Sequence, residues 1–194
     1  MDDDAYARRN RGGRGGVLDG MTTNEPLLTF ETALGRCGIR WNDGGITGVL
    51  LPGAATSGRL PLPDPAAVPA NVREAIEGIR AVLDGQRRDL RDIRLDERGI
   101  DAFRRRVYAA TRDVQPGTIA TYGQIARAIG EPNAARDVGA ALARNPTPVI
   151  VPCHRVVAAN GALHGFSAPG GIETKRRMLQ LEGAPGFGQQ VLFS

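Results

Sequence analysis

The chain has 194 residues, 41% apolar and 24% charged, enough for one or two small domains with a real core. Its only cysteines, Cys37 and Cys153, are too few for a disulfide framework, and with neither in a CxxC and only His154 and His164 beside them they argue against a structural zinc site. No apolar run is long enough for a bilayer and the first twenty residues lack an apolar signal core, so a reducing cytoplasm is the expected setting.

The net charge of +4 is unevenly spread. Residues 1–22 set four Arg against four Asp, and residues 23–98 set ten Arg against eleven acids. Residues 99–194 carry ten Arg and Lys175 against six acids. A localised positive half is what a polyanion binder needs, and also what a solvated charged surface shows.

Met1 to Gly20 mixes Asp, Arg and Gly with almost no apolar periodicity, so residues 1–22 are expected to be a disordered tail. Three strand-like runs follow: Leu27–Phe30, Gly38–Trp41 and Gly45–Leu51, the last two joined by the hairpin signal Asn42-Asp43-Gly44-Gly45. One face of such a sheet needs cover. After a Pro/Gly-rich loop (52–69), Val72, Ala75, Ile76, Ile79, Val82 and Leu83 recur at helical spacing. Asn71 with Glu74 offers the start signal and Gly85 the stop. Residues 23–98 thus form a small α/β domain with no chemistry of its own, with Cys37 in its core and 86–99 as a charged connector.

The next helix carries Phe103, Val107, Ala110 and Val114 and ends at Pro116-Gly117. Thr121-Tyr122-Gly123-Gln124 is a capping box opening a short helix through Ile129. A second helix is expected over Ala134–Ala143, and two short helices around a tight turn read as a helix-turn-helix or as a plain packing unit. Val149–Val151 is a β-branched run, expected as a buried strand that stops at Pro152, which has no N–H to donate. Val156-Val157 and Ala162-Leu163 flank Asn160-Gly161, a hairpin signal that would give the helix pair a wing. Thr174–Glu182 is the last expected helix, ended by Gly183, and residues 185–194 are an uninformative tail.

Directly after Pro152 stand a thiol, an imidazole and a guanidinium. A cysteine attacks as thiolate, and a neighbouring imidazole can take its proton. Side chains of adjacent strand residues point to opposite faces, so Cys153 and His154 cooperate only through a turn or a relaying water. Most free cysteines are inert core residues, and the flanking sequence has to decide.

The string Pro152-Cys153-His154-Arg155-Val156 resembles the active-site motif of the O6-alkylguanine-DNA alkyltransferases. The resemblance also runs through Gly117–Ala126, Ala134–Gly139, Asn145–Val157 and Lys175–Glu182, covering most of residues 99–184 with ordered spacing. It implies DNA repair by stoichiometric alkyl transfer from guanine O6 to Cys153, with self-inactivation and with no cofactor or metal. The implied fold class is α+β. Residues 23–98 would be a three-stranded antiparallel sheet with a helix (ribonuclease H-like), and 99–184 a mostly helical winged helix-turn-helix domain. The implied partner is alkylated double-stranded DNA, engaged from the minor groove by a monomer, with no membrane.

Roles follow residue by residue from the resemblance. Cys153 would be the nucleophile, His154 its base through water, Glu182 the acid orienting the imidazole, and Asn145 the tie to the turn near the thiol. Tyr122 would help rotate the nucleotide and donate to the purine. Arg136, nine residues before Asn145, would fill the gap in the duplex. Phe166 would stack on the flipped base and Ser167 bond O6, with Ala135 and Arg155 completing the DNA- and base-binding set. Two features depart from the usual pattern: two extra residues between Phe166 and Lys175, and Phe166 where many members carry tyrosine. Three rivals are weaker. A non-enzymatic lesion binder carries tryptophan at the nucleophile position, a DNA-binding regulator would want a Cys-rich metal domain, and a cysteine hydrolase usually places its histidine far along the chain.

Overall fold

A computed structural model describes residues 25–54 and 68–188. The expected tail 1–22, most of the Pro/Gly-rich loop and the end of the carboxy-terminal tail lie outside them.

Strands β1 (Leu27–Thr32), β2 (Gly35–Asn42) and β3 (Gly45–Leu50) form an antiparallel sheet in the order β1-β2-β3. Cys37, Ile39 and Trp41 alternate along β2 and so share one buried face. On β3 the buried Ile46 and Val49 are three apart, which simple alternation would place on opposite faces. A bulge reconciles them: Arg40 pairs with Gly48 and Trp41 with Ile46, leaving Thr47 as the extra residue. Helix α1 (Ala70–Leu83) covers this face with Val72, Ala75, Ile76, Ile79, Val82 and Leu83, the residues marked by their spacing. Its start corrects the expectation at Asn71: the helix begins one residue earlier behind Pro69, with no side-chain cap. Proline suits that place because the first-turn N–H groups have no intrahelical partner.

The outer edge of β3 is not left open. Ile46 and residues 94–96 exchange backbone bonds (Ile46 N to Arg94 O 3.0 Å, Asp96 N to Ile46 O 2.9 Å), and Val49 N donates to Pro146 O at 2.9 Å. An edge covered in this way offers fewer ladder groups to another chain. The connector is itself tied down by Arg112, whose Nη2 donates to the carbonyls of Leu90, Arg91 and Ile93 at 2.7–2.9 Å.

In the second half, α2 (Ala102–Arg112) is capped by the Asp101 side chain. Helix α3 (Tyr122–Ala128) opens with the full capping box, Thr121 and Gln124 bonding each other's backbone. Helix α4 (Ala135–Ala143) follows a short turn. The three pack around Val107, Tyr108, Ile125, Val138 and Leu142, and Cys153 belongs to the same buried cluster. Helix α5 (Gly171–Leu181) ends at Glu182.

Two expectations give way here. The apolar run Val149–Val151 is buried but is no strand, because Val149 adopts φ +74° and the chain turns. A β-branched residue in the left-handed region is strained and persists only where its surroundings hold it. Those surroundings are visible: Val151 N donates to Thr147 O at 2.9 Å, and Val149 and Ile150 pack into the core of the amino-terminal sheet together with Met178. The Asn160-Gly161 turn also forms, with one backbone bond between Ala158 and Ala162, but no ladder grows from it. Instead β5 (Val156–Val157) pairs in parallel with β4 (Ala120–Thr121), the two residues before α3.

Candidate active site

The turn after Asn145 delivers Cys153 to the top of a one-turn 3₁₀ helix, Cys153–Arg155. The tight turn takes Cys153 and His154 out of strand geometry, so the alternation that would send them to opposite faces does not apply. Asn145 organises the turn. Its Oδ1 accepts from Thr147 N at 3.0 Å, and its Nδ2 donates to Val151 O at 2.8 Å and to Cys153 Sγ at 3.2 Å.

Behind the thiol lies a buried charged cluster. His154 Nε2 is 3.0 Å from Glu182 Oε1, and Arg155 holds both carboxylate oxygens, Nε to Oε2 and Nη2 to Oε1, each at 2.8 Å. Arg155 Nη1 also donates to Val114 O at 2.7 Å, and Gly117 N approaches Glu182 Oε2 at 3.4 Å. Burial pushes the Glu182 carboxyl up, but the bonds from His154 and Arg155 outweigh it and hold it at about 2. A carboxylate can only accept, so the proton of His154 sits on Nε2 and Nδ1 is left with a free lone pair. That Nδ1 is buried and has no protein partner among the described residues. Burial also drives His154 below the usual imidazole range, which keeps the ring neutral.

Burial pushes the Cys153 thiol up, partly offset by the Asn145 N–H and by the charge of Lys175. Lys175 is the residue that the spacing argument passed over. It is the only lysine in the chain, 1% exposed, with Nζ donating to Val156 O at 2.6 Å and lying 5.7 Å from the centre of the Tyr122 ring. Its signal was there to find: a chain with 24 arginines keeps one lysine, the cation that fits a buried site without five donors to satisfy.

Cys153, His154, Asn145 and Glu182 are therefore brought together, with Tyr122 beside them. Phe166 is half-buried and packs against both the amino-terminal core and the cluster containing Cys153. Ser167 is exposed on the loop that follows. Arg136 projects from the first turn of α4 into solvent, and Ala135 is half-buried beside it. Arg155 needs correction as a DNA-binding residue: it is 4% exposed and its guanidinium is fully engaged by Glu182 and Val114 O. Its neighbourhood to the thiol in sequence concealed a partner 27 residues away.

A family model described as "6-O-methylguanine DNA methyltransferase, DNA binding domain" matches residues 102–184. The methylated-DNA–protein-cysteine methyltransferase of Mycobacterium tuberculosis (strain ATCC 25618 / H37Rv) is 43% identical over 120 residues, 62% of this chain and 68% of that protein. That of Methanothermobacter thermautotrophicus is 33% identical over 153 residues, 78% of this chain and 82% of that protein. Among solved structures, Mycobacterium tuberculosis OGT in complex with DNA matches with TM-score 0.67 and 34% identity, covering 83% of this chain and 96% of that one. The O6-methylguanine-DNA methyltransferase of Pyrococcus kodakaraensis strain KOD1 matches with TM-score 0.60 and 27% identity, covering 82% and 99%. A cysteine turn set against a buried His–Glu–Arg cluster, and similarity over 68% and 82% of these relatives and 96% and 99% of these solved chains, lead to one conclusion: the chain belongs to the methylated-DNA–protein-cysteine methyltransferase family.

Proposed function

We infer that the protein repairs DNA by moving the alkyl group of O6-alkylguanine onto Cys153 in a single turnover. The observation that carries the residue assignment is the buried His154 Nδ1, whose free lone pair is fixed by the Glu182 contact on the other side of the ring. In this reading His154 takes the Cys153 proton through one water. The thiolate sulfur then bonds the alkyl carbon as the carbon–O6 bond breaks, and the electron pair leaves with the purine. Tyr122 donates its phenolic proton to the purine anion, with Lys175 at its ring face compensating the phenolate. Asn145 holds the sulfur in line. The product is a thioether, which no neighbouring group can hydrolyse, so the protein is consumed.

Residues 99–184 act as a helix-turn-helix-like unit that enters the minor groove, and residues 23–98 as a ribonuclease H-like unit. The minor groove offers little sequence information, which suits a search for lesions in any context. The exposed Arg136 fills the space of the flipped nucleotide, Phe166 stacks on the base, Ser167 bonds O6, and Ala135 lets α4 approach closely. One monomer acts on one lesion, in a reducing cytoplasm that keeps Cys153 free.

The test is intact mass and peptide mapping after incubation with duplex DNA containing O6-methylguanine, beside Cys153→Ala. One methyl group per chain, mapped to Cys153 and absent from the variant, is the expected result. Lesion binding without mass gain by a reduced protein would overturn transfer in favour of a lesion sensor.

A further inference from the structure

The surroundings of the loop between Phe166 and Lys175 say what positions it. On one flank, the carbonyl of His164 accepts the Tyr122 hydroxyl at 3.5 Å. On the other, the loop meets the amino-terminal unit. The turn Leu51–Ala54, closed by Ala54 N to Leu51 O at 3.1 Å, presents Gly53 to Pro169. Gly53 has φ +85°, and a methyl group built there would stand 3.0 Å from Pro169 Cβ. The approach is close enough that only a residue without a side chain fits unstrained. Phe166 and Ala168 pack against the same amino-terminal core.

The loop end is fixed as well. Thr174 Oγ1 donates to Pro169 O at 2.7 Å, and Gly171 N donates to Ala168 O at 2.9 Å. Beside this contact the packing is open: a cavity of about 250 Å³ is lined by Leu34, Pro52, Glu173, Thr174 and Arg177. On the amino-terminal side, Pro169 is met by the abutting turn.

We propose that the Pro52–Gly53 turn is a specificity-determining element of the alkyl pocket, setting through Pro169 how far the loop carrying Phe166 and Ser167 stands from Tyr122. The proposal rests on the alkyl-transfer reading above. Because the turn abuts Pro169 directly, a change at Gly53 displaces the loop there by tenths of an ångström. Such a shift discriminates among alkyl groups of different length while leaving the thiol and its base untouched. The amino-terminal unit then contributes to substrate choice without contributing a reacting atom.

The experiment compares single-turnover rates of transfer from duplexes containing O6-methylguanine or O6-butylguanine, read by intact mass on the full chain. Gly53→Ala presses on Pro169 and should lower the butyl-to-methyl rate ratio about tenfold, the scale of a methylene or two in a shaped pocket. Pro169→Gly removes the contact and should raise the ratio by a similar factor. Gly99→Ala, at a glycine of φ +76° with open space around it, controls for backbone strain and should leave the ratio unchanged. An unchanged ratio in Pro169→Gly, or equal slowing of both substrates, overturns the proposal even if Gly53→Ala fails to fold. Wild-type protein that accepts neither group overturns the transfer reading itself, a result distinct from an unaltered ratio.

Discussion

Cys37 and Cys153 are both buried, and burial pushes both thiols up, yet their surroundings have little else in common. Cys37 lies on β2 among aliphatic side chains, with Thr32 Oγ1 at 3.6 Å. Cys153 receives the Asn145 N–H at 3.2 Å and stands before a region that buries His154, Arg155, Lys175 and Glu182. The amino-terminal half fills its core with hydrocarbon, and the carboxy-terminal half sinks four ionisable groups into its own. A buried charge is costly unless paired and hydrogen-bonded, so such a cluster destabilises the fold unless each member is held. A concealed thiol is thus compatible with inertness or with chemistry, and the polar groups around it decide which.

The contrast breaks most sharply at the two cysteines. Cys153→Ser should abolish alkyl transfer, whereas Cys37→Ser should leave the single-turnover rate within about twofold, since serine there touches no reacting group. Transfer measured by intact mass separates them, and equal losses would erase the distinction between the halves.

Glu182→Gln comes next. It removes the charge shared by His154 and Arg155, and breaking such a pair costs about 3–5 kcal/mol, read as a lower denaturation midpoint. Glu31→Gln, at an ion pair whose side chains are 71% and 66% exposed, should leave the midpoint where it was. The Glu182 carboxyl titrates at about 2 in the folded protein against an ordinary 4.5. A depressed carboxyl adds stability that is complete above the unfolded value, so wild-type stability should fall as pH drops from about 4.5 toward 2. Glu182→Gln should lack that part of the acid dependence.

Arg136→Ala should slow transfer from duplex DNA by roughly ten- to a hundredfold, the scale of unstacking one nucleotide. Reaction with free O6-alkylguanine base, which needs no flipping, should be unaffected; parallel losses would place Arg136 in the chemistry instead. The pH profile of the rate is a gentler probe. With His154 held below the usual imidazole range, the rate should stay level down to about pH 6.5 and decline only on further acidification. A decline centred above that value would mean that the base is another group. Smallest is Thr121→Ala, which removes one side of the capping box of α3 and should cost about 1 kcal/mol by chemical denaturation.

Local signals were legible and long-range ones were not. The Thr121/Gln124 box spans three residues, and its two bonds form within the segment that encodes them. The apolar stripe of α1 needs only the helical period, and the order of strands and helices follows from such patterns. Val149–Val151 failed as a strand because composition favours one, while the turn depends on Asn145 and on packing against a sheet a hundred residues earlier. Val156–Val157 found a parallel partner at Ala120–Thr121 rather than the hairpin neighbour that the Asn160-Gly161 turn suggested. At the site, the Cys153-His154 motif stood out. That Arg155 turns inward to Glu182 and that Lys175 is buried against Val156 O were settled by tertiary contacts with no local signature.

Val149 at φ +74° has a consequence for anyone who would shorten this protein. The turn that carries the thiol is anchored by Val49 N on Pro146 O and by three side chains, Val149, Ile150 and Met178, seated in the amino-terminal core. A fragment starting near residue 99 would keep every reacting group and lose all four anchors. It would also bare three apolar side chains worth roughly 1.5–3 kcal/mol each when buried. Only the bonds within the turn, Val151 N to Thr147 O and those of Asn145, would then hold a valine in a conformation it disfavours. Such a minimal fragment would carry a loosened Cys153 turn beside an adhesive apolar surface, so a shortened version has to keep the sheet that seats it.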